Sequence, residues 1–190
     1  EVDALQPETL SFTGVPVGSA RLGYELSLLG TELKLGASGL YGPRNDQQDS
    51  SVTQRQLGLD ARLFVGPVSL SGEYVNLLQD PARAPPKPTG TGVYTIASGF
   101  KVYGFYLEVA WVLPVRDRVL SGLTLYGRYD RRKGGFHGTP QLLTSRWTVG
   151  GRLELWSVLA LKAEVLFNRE NAGAATVDND VFTTSAVFSF

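Results

Sequence analysis

The sequence predicts an all-β chain, a transmembrane antiparallel up-and-down β-barrel of about ten strands. Three observations support this fold class. Apolar side chains recur at every second position through most of the 190 residues, which is the period of a strand rather than of a helix. Short and long connections alternate along the chain. Aromatic side chains collect near both ends of the strands, with aliphatic ones between them.

The composition narrows the possible classes before any strand is placed. The chain is 43% hydrophobic and 19% charged, so it is too apolar for a disordered protein. It contains no cysteine, which excludes a disulfide scaffold and thiolate metal sites. Eighteen basic residues balance eighteen acidic ones, and this balance predicts no nucleic-acid partner. No segment approaches the roughly 20 apolar residues of a membrane helix.

The length of the chain predicts one domain that covers residues 1–190. Because the chain has no methionine and begins at Glu1, we expect a processed start, such as the end left by a removed signal peptide.

Nine segments show the strand period. They lie at residues 20–28, 33–41, 57–65, 68–74, 103–113, 123–129, 143–155, 159–167 and 182–190. A weaker tenth segment at 9–15 has Leu10 and Phe12 on one face, and ten strands would place both termini on the same side of a membrane. Eight strands remain possible if two weak segments extend loops. Residues 10–28 also stay in phase and could form one long strand.

The connections predict a meander with one plain end and one elaborate end. Short turns lie at residues 29–30, 66–67, 114–118 and 156–157. Long polar loops lie at 42–51, 78–92, 131–141 and 169–180. An up-and-down barrel alternates short and long connections in this way, whereas a soluble sandwich with Greek-key crossings has no reason to.

The aromatic residues predict two girdles at the membrane–water interfaces, where amphipathic rings are favoured. Those near the long loops are Tyr41, Tyr74, Tyr103, Tyr129, Trp147, Phe167 and Phe182; those near the short turns are Trp111, Trp156, Phe188 and Phe190. Eight residues separate the two girdles on one strand. At about 3.4 Å per residue and a tilt of about 40°, they span roughly 20 Å of height, close to the apolar band of such barrels. The alternative is an aromatic-rich soluble barrel, whose polar face would carry many more Lys and Glu residues.

The alternate set of side chains would then face a lumen. Its charges are Arg21, Glu25, Glu32, Lys34, Asp60, Arg62, Glu73, Glu108, Arg128, Asp130, Arg146, Arg152, Glu154, Lys162 and Glu164, seven positive and eight negative. Buried charges need partners, and we expect ion pairs between adjacent strands, with Arg152 and Glu154 beside Lys162 and Glu164. These pairs either fill a small barrel or line a narrow pore with weak ion selectivity, and ten strands lies between the two cases.

The last ten residues run from Val181 to Phe190 and keep Phe182, Thr184, Ala186, Phe188 and Phe190 on the outward face. This segment resembles the C-terminal signature of bacterial outer-membrane β-barrel proteins, porin-like or small OmpA-like. The hairpin from Trp147 to Phe167 is similar to the closing hairpins of porins. The resemblance implies a bacterial outer-membrane location and recognition of the final strand by the barrel-assembly machinery. With the chain end expected on the periplasmic side, ten strands would place both termini there.

The function that we expect is that of an integral outer-membrane barrel, either structural or a narrow, weakly ion-selective, porin-like pore. A C-terminal part of a larger porin and a surface-recognition or adhesion barrel stay open as alternatives. An outer-membrane lipid-modifying enzyme or protease is a further alternative. The sequence makes no prediction about the oligomeric state.

The candidates for chemistry are weak. The one histidine, His137, has Ser145 and Asp130 nearby in sequence, but the three residues flank a glycine-rich segment without evident order. Asp178 and Asp180 form a weak candidate for a divalent cation, although a polar turn explains them as well. We therefore expect no catalytic site, no cofactor and no metal.

One basic run, formed by Arg128, Arg131, Arg132 and Lys133, lies at the outer end of a strand. Membrane lipid is the expected partner of the barrel, and the phosphates of lipopolysaccharide would suit this run electrostatically. The alternative is a solvated loop in which Arg128 pairs with Asp130. The stretch 81–88 is rich in proline and predicts a rigid spacer.

Overall fold

The computed structural model describes residues 17–43, 53–80, 99–115, 117, 119–136, 141–156, 158–171 and 179–188, and these residues form nine β-strands. The strands are β1 (Gly18–Leu28), β2 (Thr31–Pro43), β3 (Thr53–Val65), β4 (Val68–Gln79), β5 (Phe100–Leu113), β6 (Leu120–Phe136), β7 (Leu142–Leu155), β8 (Leu159–Asn171) and β9 (Val181–Phe188). Within these ranges no helix is long and apolar enough to cross a membrane.

The nine strands form one antiparallel sheet in chain order, so each strand pairs with the strands before and after it. This up-and-down meander confirms the predicted fold class, and each of the nine periodic segments lies on one of the strands. Connections after the odd-numbered strands have two to six residues, and those after β2, β4 and β8 have nine or more, but the connection after β6 has only five because that strand extends into the predicted long loop. The predicted tenth segment, at 9–15, lies outside the described residues.

Two of the short turns have the backbone that a tight hairpin requires. Leu29 and Gly30 both have positive φ, 49° and 80°, as in a type I′ turn. Gly66 has φ 56° and precedes Pro67, and this Gly–Pro pair joins Val65 directly to its partner Val68. The twist of such turns matches that of the strands, so they hold the register of the hairpins.

Strand β6 is longer than the sequence predicted. Residues 131–136 were expected in a loop, but Lys133 pairs with Tyr103 and Gly134 pairs with Val102. Backbone hydrogen bonds do not depend on the side chain, so a strand continues through polar and glycine residues when a neighbouring strand is present. The loop-like composition therefore concealed six residues of strand.

The sheet has two edges, β1 and β9, and no Cα atom of β1 lies within 8 Å of one in β9. Because the number of strands is odd, β1 and β9 run in the same direction. A direct pair between them would be parallel. A closed wall with antiparallel pairs throughout therefore needs an odd number of further strands between β9 and β1.

The sheet is not packed against a second layer in the described part of the chain. None of the large side chains there is fully buried, and thirty large hydrophobic ones are exposed. The two faces of the sheet therefore differ only in which side chains the alternation places on each of them. We call the face with the charges the inward face and the opposite face the outward face.

Candidate functional site

All fifteen charged residues predicted to face a lumen lie on the inward face. The strand register aligns many of them in rows that cross the sheet. One row of directly opposed residues crosses β1 to β6. It runs through Glu25, Lys34, Arg62, Ser71, Glu108 and Arg128. The next row towards the long loops runs through Asp60, Glu73, Tyr106, Asp130 and Arg146. The charges therefore form a continuous polar surface across the sheet.

Most ion pairs on this surface join residues two positions apart on one strand or directly opposite across a pair. They are Lys34 with Glu25 (3.2 Å) and Glu32 (2.6 Å), Arg128 with Asp130 (2.6 Å), Arg152 with Glu154 (3.0 Å) and Lys162 with Glu164 (2.9 Å). The expectation that the last four residues pair between strands was wrong. Arg152 lies directly opposite Lys162, so its nearest cross-strand neighbour has the same charge.

One ion pair spans three strands. Arg21 on β1 donates from Nη2 to both carboxylate oxygens of Asp60 on β3, at 2.8 and 3.0 Å. The residue of β2 that lies opposite Asp60 is Gly36, and a Cβ atom at this position would collide with that carboxylate. Glycine at 36 therefore leaves the gap through which the pair forms.

A second glycine accommodates an aromatic ring. Tyr126 on β6 lies over Gly150 on β7, where an added Cβ atom would be 2.6 Å from the tyrosine oxygen and 2.8 Å from the backbone oxygen of Ala163. Lys162 Nζ lies 5.4 Å from the centre of the same ring. On the neighbouring strand pair, the guanidinium of Arg128 stacks 3.9 Å above the ring of Tyr106.

Several recesses open on the inward face, and two of them lie mainly over β5 to β8. The one nearer the long loops has a volume of about 660 Å³ and is lined by Tyr106, Arg128, Asp130, Arg146 and Asn168, among others. Within it, Arg146 Nε and Asp130 Oδ2 are 3.5 Å apart and make no hydrogen bond to described residues. The second recess has about 490 Å³ and includes Glu108, Tyr126, Arg152 and Glu164. Both recesses are lined by basic and acidic side chains.

Nine of the aromatic residues predicted for the girdles lie on the outward face of the strands, whereas Trp156 lies in the turn after β7. Two of them contact each other across adjacent strands, with the ring centres of Tyr129 and Trp147 4.6 Å apart, and Phe105 lies 6.0 Å from Tyr129 on the other side. Trp147 and Phe182 are 56% and 67% exposed, which is costly in water but not in contact with lipid. Of the predicted girdle residues, Phe190 lies outside the described residues.

The girdle on the long-loop side runs obliquely to the rows of paired residues. The row through Phe182 on β9 reaches β2 at Leu33, eight residues from Tyr41. Eight residues of about 3.4 Å, over seven spacings of about 4.8 Å, correspond to an angle of about 39°. On the short-turn side, Trp111 shares a row with Thr184, four residues before Phe188. This displacement over four strands gives an angle of about 35°, in the same direction.

These two angles agree with the tilt of 35–45° that strands adopt in outer-membrane barrels. When strands are tilted, residues at one height in the membrane lie on a line that crosses the register rows at the tilt angle. The aromatic residues follow such a line at both ends of the strands. The strand register therefore supports two membrane interfaces, and this support is independent of the overall amino-acid composition.

The other candidates from the sequence do not converge. Ser145 lies on the outward face and Asp130 on the inward face, so the sheet separates them. His137 and Asp178 lie outside the described residues. Asp180 accepts a hydrogen bond from the backbone N–H of Asn168 (2.8 Å) and pairs with Arg169 (3.3 Å). No group of three or more potential metal ligands occurs in the described residues.

The basic run divides between the two faces because it lies on a strand rather than in a loop. Arg128 and Arg132 point inward, whereas Arg131 and Lys133 point outward. Sequence reasoning missed Arg132 and Glu170 as inward charges. Extending the alternation of β6 and β8 by a few residues would have found both.

The predicted assembly signature lies on the edge strand β9, where Phe182, Thr184, Ala186 and Phe188 share the outward face. Each described residue of this strand is exposed. Recognition of the strand by the barrel-assembly machinery stays a prediction.

The comparisons with known proteins concern the fold alone. No protein-family model matches the chain, and no curated protein does. A solved structure described as outer-membrane expressed OmpT of Vibrio cholerae matches with a TM-score of 0.60 at 13% identity. The match covers 91% of this chain and 56% of that one, so this chain spans little more than half the length of the other. Together with the antiparallel meander, this likeness shows that the chain has the fold of an outer-membrane β-barrel.

Proposed function

We propose that the nine strands form part of the wall of a water-filled pore through which small ions and solutes of both charges cross the outer membrane. The observation that carries the proposal is the lack of a packed interior in the described part of the chain, where no large side chain is fully buried. The inward ion pairs keep between 20% and 58% of their side-chain surface exposed. A plugged barrel would bury such residues deeply.

The closure of the wall supports a barrel with more strands than the nine described. An odd number of strands must lie between β9 and β1 if each pair is antiparallel. One strand at 9–15 would satisfy this requirement, and so would the several strands of a larger barrel. Because this chain spans 56% of the matching outer-membrane chain, the interpretation as part of a larger porin-like barrel also fits.

We expect weak ion selectivity, because charges of both signs are interleaved along the inward face. With Arg132 and Glu170 added, eight basic and nine acidic side chains point inward. Each basic group except Arg21 has an acidic neighbour on its own strand or an adjacent one, and Arg21 pairs with Asp60 two strands away. The electrostatic fields of these charges would therefore largely cancel along the path of a solute, so neither cations nor anions would be strongly favoured.

The test is single-channel recording from the refolded chain in planar bilayers. We expect discrete openings with a reversal potential close to zero in a salt gradient. The double variant Arg152→Gln/Lys162→Gln removes two inward cations and should shift the reversal potential towards cation selectivity. The matched control Arg55→Gln removes a cation from the outward face and should leave that potential unchanged. Sealed bilayers from protein whose gel migration shows a folded barrel would contradict the proposal.

A further inference from the structure

We propose that the outward face binds the phosphate groups of a phosphorylated outer-leaflet glycolipid of the lipid A class at its long-loop end. Five charged residues occupy outward positions on the nine strands, and all five are basic. They are Arg55, Lys101, Arg131, Lys133 and Arg169. No acidic residue occupies an outward strand position, whereas acidic residues make up half of the inward charges.

All five cations lie at the long-loop ends of their strands, and the short-turn ends have no outward charge. Their height is that of the aromatic girdle or just beyond it. Lys133 lies directly opposite the girdle residue Tyr103, and Lys101 Nζ lies 5.9 Å from the ring of Tyr103. Arg131 lies two residues beyond Tyr129 on the same strand. This is the level of lipid headgroups rather than of acyl chains.

Three of the cations form a compact group that we call the outward basic patch, made of Arg131, Lys133 and Arg169. Arg131 and Arg169 lie in one register row, with the small residue Ser145 of β7 between them. The two Cα atoms are thus about 9.6 Å apart, two strand spacings. Lys133 is two residues further along β6. Ser145 leaves room above the sheet for an anionic group that all three side chains could reach.

The partners of these cations distinguish the patch from Arg55. On β3, Arg55 donates two hydrogen bonds to Asp80, both 2.9 Å long, and so it is neutralised. Arg169 has one contact with Asp180 at 3.3 Å. Arg131 and Lys133 make no ion pair within the described residues. An excess of positive charge therefore remains above β6 to β8, where phosphate would form charge-assisted hydrogen bonds.

The proposal depends on the long-loop end facing the outer leaflet, but it is independent of whether the lumen conducts. A sealed barrel could bind the glycolipid, and a conducting barrel could fail to bind it. Conductance and glycolipid binding therefore test the two proposals separately.

The test is a titration of the refolded full chain in detergent with lipid A that carries both phosphates, and with the same lipid A after dephosphorylation. Native mass spectrometry counts the lipid molecules retained. We expect the phosphorylated form to bind at least about tenfold more tightly, because each charged hydrogen bond contributes about a factor of ten. Saturating inorganic phosphate should compete only weakly, because it lacks the acyl chains that contact the girdle.

The variants use the alternation of β6 as an internal control. Arg131→Gln/Lys133→Gln should weaken binding of phosphorylated lipid A by about tenfold or more. Arg132→Gln removes the same charge from the residue between them, on the inward face, and should change affinity less than about twofold. The charge-conserving Arg131→Lys/Lys133→Arg should retain binding and shows whether the first variant fails for lack of charge or for lack of folding. Equal affinity for both lipid forms, or equal loss in the Arg132 variant, would overturn the proposal.

Discussion

The two faces of the sheet share one backbone, yet they differ in hydrophobicity, in aromatic content and in charge. On the outward face, aliphatic residues fill the middle of the strands, aromatic residues mark the two ends, and charge appears at one end alone. On the inward face, charges of both signs extend across the strands in aligned rows. Adjacent residues such as Leu107 and Glu108 thus belong to different environments.

This difference shows which observations carry information about a membrane. An exposed apolar face alone could have been covered by another protein, and a charged face alone could have met water. The oblique line of the girdle is more specific, because it requires tilted strands. It also requires two planes whose separation matches the thickness of the apolar layer of a membrane. The same substitution should therefore change the stability of the barrel by different amounts on the two faces.

The largest effect should follow from a charge placed in the middle of the outward face. Leu107→Arg puts a guanidinium between Tyr103 and Trp111 and should destabilise the barrel by about 2–4 kcal/mol, the cost of Arg at the centre of a bilayer. Ala110→Arg places the same group on the inward face and should change stability by about 0.5 kcal/mol. Equilibrium unfolding in urea, with the protein in lipid vesicles, measures both. Equal costs would contradict the assignment of faces.

A smaller effect should follow from filling a glycine position on the inward face. Gly150→Ala places a methyl group 2.6 Å from the oxygen of Tyr126 and 2.8 Å from a backbone oxygen, which cannot move freely. We expect a loss of about 1–3 kcal/mol, as for other overpacked sites. Gly127→Ala is the matched control on the outward face, where no atom lies within 4 Å of the added group. That variant should be neutral or slightly more stable in the same unfolding measurement.

The smallest effect should come from the ion pair that crosses three strands. A double-mutant cycle on Arg21→Ala and Asp60→Ala should give a coupling of about 0.2–1 kcal/mol, since both side chains are partly exposed, at 43% and 33%. Repeating the cycle in the Gly36→Ala background should remove the coupling, because the added methyl group displaces the carboxylate. A coupling that survives in this background would show that the pair does not need the gap.

Much of the fold could be predicted from the sequence because alternation reports directly which side chains share a face. The nine strands followed from it, and so did the order of short and long connections except after β6. The ends of strands did not, because backbone pairing continues through residues such as Gly134 and Gly135 that carry no apolar signal. That error placed Arg131 and Lys133 in a loop and concealed their separation from Arg132.

The contacts of the inward face were harder to predict. The sequence identified its charges but not their partners, because a partner depends on register and on gaps such as the one at Gly36. The length of the hairpins sets the register, and it placed Arg152 opposite Lys162 rather than beside an acidic group. Residue type alone does not contain this information.

The most direct test of the account is a cysteine-accessibility scan along β5, which the absence of native cysteine makes simple. Single substitutions Leu107→Cys, Glu108→Cys, Val109→Cys and Ala110→Cys would be refolded into lipid vesicles and exposed to a charged, water-soluble thiol reagent. We predict that positions 108 and 110 react and that 107 and 109 do not, because water fills the lumen and lipid covers the outward face. Uniform reaction at all four positions would contradict the membrane interface, and reaction at none would contradict the water-filled lumen.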